Sequence, residues 1–298
     1  MIKTVQRLIQ RFGFEIRKVD NFHLKPNREV HIQLGRFPLV VHSRSPLSVQ
    51  YTKQPGYGSE FGRLATALAQ KYPALSVIDI GANIGDTAAI VKNAVDAPIL
   101  CIEGDPYCFS ILQRNIAQFG NVTAYRQFLG DRDETISARL EKSTWNTTII
   151  PDQEGETAVV QLLRLDSFLK EHALSEPYKL LKIDTEGFDV KIIRGASGLI
   201  DAVKPAIYFE YNRHNMDEIG EKGVDTLYWL KEKGYDDILF FEDNGQFILS
   251  GSLSDKRLID QLHHWVGIST NIYYFDLIVF HKDDKDIAEQ FIKSESKR

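Results

Sequence analysis

From residue 60 onward the chain alternates short apolar, β-branched runs with segments of helical periodicity, a pattern that few architectures accommodate. The runs that read as strands are 76–80, 98–102, 122–128, 178–183, 206–210, 238–241 and 273–280. Helices are expected over 60–71, after Gly85, from Pro106, from a cap at Asp166, and over 188–194, 223–233 and 254–266. Strands this apolar need cover on both faces, so the expected class is α/β, a mostly parallel Rossmann-like sheet between two helical layers. Residues 132–163 are less regular and read as short strands, a hairpin beside the candidate ligand loop. In such a sheet ligands gather outside the carboxyl ends of the strands, where the strand order reverses. The loops after Ile80, Ile102, Phe128, Ile183 and Glu210 are therefore the places to seek chemistry.

The remaining totals exclude more than they specify. At 298 residues with 43% hydrophobic and 26% charged residues, the chain can bury a large core and is not compositionally disordered. Its apolar runs are too short for a bilayer span, and its first residues lack the continuous apolar stretch of a secretory signal. Cys101 and Cys108 form no disulfide framework and no zinc pattern, which suits a reducing, cytoplasmic setting. A net charge of −5 argues against nucleic acid as a partner. The charge is uneven, since residues 1–36 hold eight Lys and Arg against three acids. Within them Ile2, Val5, Leu8, Ile9 and Phe12 form a helical apolar stripe with a basic opposite face. That helix either packs on the main domain or lies weakly on an anionic membrane surface. A short hairpin follows, 29–33 and 38–43, with Gly35 and Pro38 at its turn. Residues 1–59 thus read as an extension on a domain spanning 60–298.

The segment Asp79-Ile80-Gly81-Ala82-Asn83-Ile84-Gly85 closes an apolar strand with a glycine-bracketed turn into a helix. Glycine admits a ligand close to the backbone, and the free N–H groups of the helix start attract an anion. Glu103 ends the next strand, where a carboxylate can accept both hydroxyls of a ribose. A dinucleotide fingerprint would require glycine at position 83 and tolerate a pyrophosphate there. Asn83 and the acidic Asp86 fit better a ligand with a carboxylate, an amino group and a sulfonium, namely S-adenosylmethionine. Thr87, Gly104, Leu129 and Gly130 complete the candidate cofactor contacts.

With these residues in hand the chain resembles the FkbM-type methyltransferases. The matching pieces are Val77–Asp86, Ile102-Glu103-Gly104-Asp105-Pro106 with Leu112 and Asn115, Leu163–Leu169, Leu181-Lys182-Ile183-Asp184-Thr185-Glu186-Gly187, and Ile193-Arg194-Gly195-Ala196. The resemblance covers about residues 75–212. It implies a class I methyltransferase fold of seven strands with the last antiparallel, and O-methylation of a hydroxyl on a sugar, a glycan or a natural product. Gly104-Asp105-Pro106 departs from the family habit of a proline directly after the acid. Family members share no one acceptor.

For the acceptor side, Lys182, Asp184 and Glu186 alternate and share a face while the strand persists. Lys182 reads either as a buried ion-pair partner, satisfied by Asp184 or by Glu210 on the adjacent strand, or as half of a tuned acid/base pair. An attacking hydroxyl sheds a proton, so Asp184, Glu186, Glu210 and His214 are candidate bases, with Asp184 first. The three carboxylates could instead hold a divalent cation. Tyr208, Tyr211 and Phe188 read as cleft walls or as packing, and His263-His264-Trp265 as one buried and two exposed helix positions. Two other functions stay open on this architecture, a nicotinamide-dependent oxidoreductase and a catalytically silent cofactor-binding scaffold.

Overall fold

The computed structural model describes residues 24–142, 147–151, 158–269, 272 and 274–298. The basic stripe at 2–12 lies outside the described residues. The chain opens with a hairpin, β1 (Glu29–Leu34) and β2 (Phe37–His42), then α1 (Leu47–Lys53) and α2 (Ser59–Lys71). The hairpin turns at Gly35, whose φ is +58°, while Pro38 lies inside β2 opposite Gln33 rather than in the turn. Proline is tolerated there because an edge strand need not use every N–H.

Next come β3 (Ser76–Ile80), α3 (Asp86–Ala94), β4 (Ile99–Ile102), α4 (Pro106–Ile116) and β5 (Val122–Tyr125). The expected strand over 122–128 is two strands. After β5 the chain leaves the main sheet and re-enters a second one as β6 (Phe128–Gly130), with β7 (Glu134–Lys142), β8 (Thr147–Pro151) and β9 (Ala158–Arg164) in the order β6-β9-β7-β8. Then follow α5 (Leu165–Glu171), β10 (Tyr178–Ile183), α6 (Asp189–Gly195), α7 (Ser197–Val203), β11 (Ala206–Tyr211), α8 (Arg213–Glu218) and α9 (Gly223–Glu232). The chain closes with β12 (Tyr235–Phe241), β13 (Phe247–Ser252), α10 (Lys256–Val266), β14 (Phe275–His281) and α11 (Lys285–Glu295).

Asp166 does not cap the helix it opens. Its two oxygens accept from the N–H groups of Gly198 and Leu199, at 2.7 and 3.0 Å, and so cap α7. Sequence spacing reveals the capping residue type, not which helix start it meets.

The main sheet runs β13-β12-β14-β11-β10-β3-β4-β5. Strands β5, β4, β3, β10 and β11 are parallel, and β14 inserts antiparallel between β11 and β12. These seven match the expected count and the expected antiparallel last strand. The eighth, β13, is a hairpin partner that extends the far edge beside β12. The order reverses between β3 and β10, because the chain winds outward from β3 to β5 and then returns to build β10 and β11 on the other side. Alternate side chains feed two cores. Ile78, Ile80, Leu181 and Ile183 face the layer of α5–α7, α9 and α10, whereas Val77, Leu180 and Tyr208 face α2, α3, α4 and α11. Asn115 of α4 ties the hairpin to this second layer. It accepts from the Val40 N–H at 2.8 Å and donates to the carbonyls of Val40 and Ile84 at 2.9 and 2.8 Å.

Candidate functional site

A cavity of about 500 Å³ opens at the carboxyl ends of β3, β4, β10 and β11, at the reversal point. Its floor is formed where the paired ends of β3 and β10 lie side by side. The Asp184 N–H donates to the Ile80 carbonyl at 3.0 Å, and a Cβ on Gly81 would stand 1.8 Å from the Asp184 carbonyl oxygen. Only glycine, at φ +73°, allows that approach. Asn83 also adopts a left-handed φ, +47°, which turns its N–H toward Glu103.

Glu103 is the best-defined polar group of the cofactor half. One carboxylate oxygen accepts from the Asn83 N–H at 2.8 Å and the other from the Asp105 N–H at 2.7 Å. Burial raises its pKa to about 7, against the pull of those two donors. Each oxygen keeps a lone pair for a further donor, which is what two ribose hydroxyls would require. Beside it Gly104 lies under the Phe128 ring, with no room for a Cβ, and Phe128, Leu129 and Ile149 make an apolar wall. The second sheet supplies that wall, in the place anticipated for a hairpin near the cofactor.

Among the expected cofactor residues, Ile80, Gly81, Asn83, Asp86, Thr87, Glu103, Gly104 and Leu129 line the cavity. Asp79, Gly85 and Gly130 do not. Asp79 is fully buried behind the lining, Gly85 is the left-handed residue that starts α3 against Leu112 and Ile116 of α4, and the Gly130 carbonyl presses on Gly195 of α6. Their glycines serve chain packing. Asp86 sits buried in the first turn of α3 and accepts from the Tyr51 hydroxyl at 2.5 Å, so the segment before the main domain contributes to this site.

On the acceptor side the register explains the fate of Lys182. It pairs with Asp79 across β10–β3 and with Tyr208 across β10–β11, which puts all three on one face. Its ammonium lies 3.3 Å from Asp79 Oδ1 and 3.3 Å from Asp184 Oδ2. The neighbouring-strand partner is thus Asp79 and not Glu210, which sits two residues farther along. Burial alone would lower the lysine pKa, but Asp184, Asp79 and Asp86 outweigh it and hold the ammonium charged. Lys182 is a buried cation bracing two strand ends, and Asp79, with its pKa raised to about 6 by burial, depends on it.

Asp184 keeps half of its side chain exposed to the cavity. Glu186 has left the strand's alternation, since β10 ends at Ile183 and Glu186 sits at φ +55°, accepting from Asn215 at 3.0 Å. Among the described residues no three His, Cys, Asp or Glu side chains are placed to hold a metal ion, so the alternative of a divalent cation on Asp184, Glu186 and Glu210 is not supported. His214 stands 79% exposed on α8, paired with Glu218 at 3.4 Å, and does not line the cavity. Tyr211 donates or accepts at 2.7 Å with His263, whose neighbours His264 and Trp265 are exposed. Sequence reasoning missed Glu60, Tyr274 and Asp276, which do line it. Asp276, a lone acid in the apolar strand 275–281, carried the signal; Glu60 looked like an ordinary first-turn acid.

A model of the methyltransferase FkbM domain matches residues 79–236, more than half of the chain. The chain belongs to the FkbM methyltransferase family. The solved structure of methyltransferase FkbM from Methylobacillus flagellatus is similar at 15% identity, with a TM-score of 0.42, over 70% of this chain and 44% of that one. Precorrin-6y C5,15-methyltransferase from Geobacter metallireducens is similar at 14% identity, with a TM-score of 0.36, over 70% and 80%. The chain therefore spans less than half the length of the first of these structures. No curated protein sequence matched it. Within the FkbM match fall the glycine turn, Glu103 and the Lys182–Glu186 segment, whereas Glu60 and Asp276 lie outside it.

Proposed function

We propose that the chain is an S-adenosylmethionine-dependent O-methyltransferase acting on a hydroxyl of a small molecule, sugar or glycan. The observation that carries the reading is Glu103, whose two oxygens are pinned by backbone donors while facing the cavity beside Gly81. The cofactor would lie with its ribose at Glu103, its base along the apolar wall of Phe128 and Leu129, and its amino-acid end toward Asn83 and Thr87 at the start of α3. When bound, that group supplies an electrophilic methyl on a sulfonium.

The chain's own residues then have three tasks. The cavity walls hold the acceptor in line, and such alignment is worth effective molarities of about 10⁵–10⁸ M in favourable cases. Asp184, at the carboxyl end of β10, takes the hydroxyl proton at Oδ1 or Oδ2. Lys182, fixed between Asp79 and Asp184, sets the direction of that carboxylate and is too firmly protonated to serve as a base. Among the residues lining the cavity, carboxylates far outnumber cations, which favours a non-nucleic-acid acceptor.

Transfer of label from methyl-labelled S-adenosylmethionine into fractionated cell extract tests the activity. Asp184→Asn should lower turnover by about 10²-fold or more with cofactor affinity unchanged. Full activity in that variant would remove Asp184 as the base.

A further inference from the structure

The acceptor end of the cavity is built from carboxylates with no free cation beside them among the described residues. Glu210 and Asp276 stand directly opposite each other across the β11–β14 ladder, an arrangement in which like charges destabilise a sheet. Both line the cavity. Glu210 Oε2 is shut off from solvent and has no hydrogen-bond partner. Glu60, on α2 and 1% exposed, lines the same space; its Oε1 accepts from the Tyr208 hydroxyl at 2.9 Å, and its Oε2 is also buried without a partner. The Tyr208 hydroxyl has one proton, and it donates that proton to Glu60. Lys182 is the one cation among the described lining residues, and it is committed to Asp79 and Asp184.

Holding buried Glu60 and half-buried Glu210 and Asp276 at one cavity end, with no counter-charge among the described residues, is costly, and a site that keeps them does so for a ligand that neutralises them. An ammonium group matches the need. It offers three donors, the number of carboxylates here, and Tyr208 and Tyr274 present aromatic surface that attracts a cation. Resting on the methyltransferase reading of the same cavity, we propose that the acceptor carries a protonated primary amine, as an amino sugar or an amine-bearing natural product does. The amine is seated by Glu60, Glu210 and Asp276, and the hydroxyl to be methylated is presented to Asp184. Burial raises the proton affinity of Glu210, Asp276 and Glu60 in the absence of ligand, which fits groups waiting for a cation.

The test uses a polar extract of the source cells, divided in two, with one half exhaustively N-acetylated. Acetylation removes the charge of amines and leaves hydroxyl acceptors in place. The intact protein and methyl-labelled S-adenosylmethionine are added to each half. At least about a tenfold loss of incorporation after acetylation is expected, because charge-assisted hydrogen bonds in a desolvated site are lost. With the untreated half, Glu60→Gln and Glu210→Gln should each raise KM for the labelled product's precursor while keeping affinity for S-adenosylhomocysteine. The comparison of the two halves with unmodified protein stands even if a variant fails to fold. Equal incorporation in both halves overturns the proposal, and incorporation that is abolished by a chelator but not by acetylation would assign the pocket to a metal ion instead. If S-adenosylhomocysteine does not bind and neither half is labelled, the underlying methyltransferase reading fails and takes this proposal with it.

Discussion

At the scale of single residues the site depends on carboxylates held in distinct protonation environments. Burial raises the Glu103 pKa to about 7, and on the proposed reading a ribose hydroxyl would donate to its ionised form. Affinity for S-adenosylhomocysteine should therefore rise as pH increases from 5 through about 7 and then level off. In Glu103→Gln that pH slope should be lost, and in Glu103→Ala affinity should fall by about tenfold or more. Calorimetry across pH checks both; an unchanged slope in the Gln variant would remove Glu103 from the ribose. Lys182→Met would leave Asp79 and Asp184 without their shared cation, and breaking a buried pair this way costs about 3–5 kcal/mol. Denaturant unfolding of that variant measures the loss. The sequence alone exposed Glu103, Lys182 and Asp184, because each interrupts or ends an apolar strand. It could not tell that Lys182 would choose Asp79 over Glu210, since that depends on the parallel register Lys182↔Asp79.

At the scale of elements, the strand ends matter more than the strands. The close approach of the chain after β10 to the end of β3 leaves no space at Gly81, so Gly81→Ala should destabilise the fold by about 2–4 kcal/mol through both the clash and the positive φ. Asp166→Ala should cost about 1 kcal/mol by uncapping α7. A thermal melt of each variant distinguishes the two magnitudes. Strand and helix positions along β3, α3, β4 and α4 were legible because their periodicities are strong and their turns carry Gly85 and Pro106. Short elements were not. The six-residue α8 and the edge strand β13 have too few residues to show a period, and α7 follows α6 with only Ala196 between them. The break between β5 and β6 falls at Arg126-Gln127, a polar pair that carries no glycine or proline, and only the tertiary course of the chain separates Val122–Tyr125 from Phe128–Gly130. His214 looked reactive from its type, yet its short helix turns it to solvent.

At the scale of the whole molecule, the reversal of strand order gathers groups from the entire chain into one cavity. Tyr51 comes from before the main alternation, Glu60 from its first helix, Asp276 from the last strand, and Phe128 and Ile149 from the second sheet. No described helix is long and apolar enough to cross a membrane. Gathering so many buried acids has a cost that depends on pH. Asp79, Glu103 and Asp189 have their pKa values raised to about 6, 7 and 7 by burial, above those of the unfolded chain. The folded protein then binds more protons than the unfolded one between about pH 4 and 7, so stability is greatest at the lower end and falls as pH rises through that window. Urea unfolding of the ligand-free protein from pH 5 to 7.5 should show this decline, and cofactor should reduce it by stabilising ionised Glu103. The most direct test of the account as a whole is a calorimetric titration of the unmodified protein with S-adenosylhomocysteine and, separately, with NAD. Saturable 1:1 binding of S-adenosylhomocysteine with no binding of NAD is the predicted result, and tight binding of NAD with none of S-adenosylhomocysteine would contradict it.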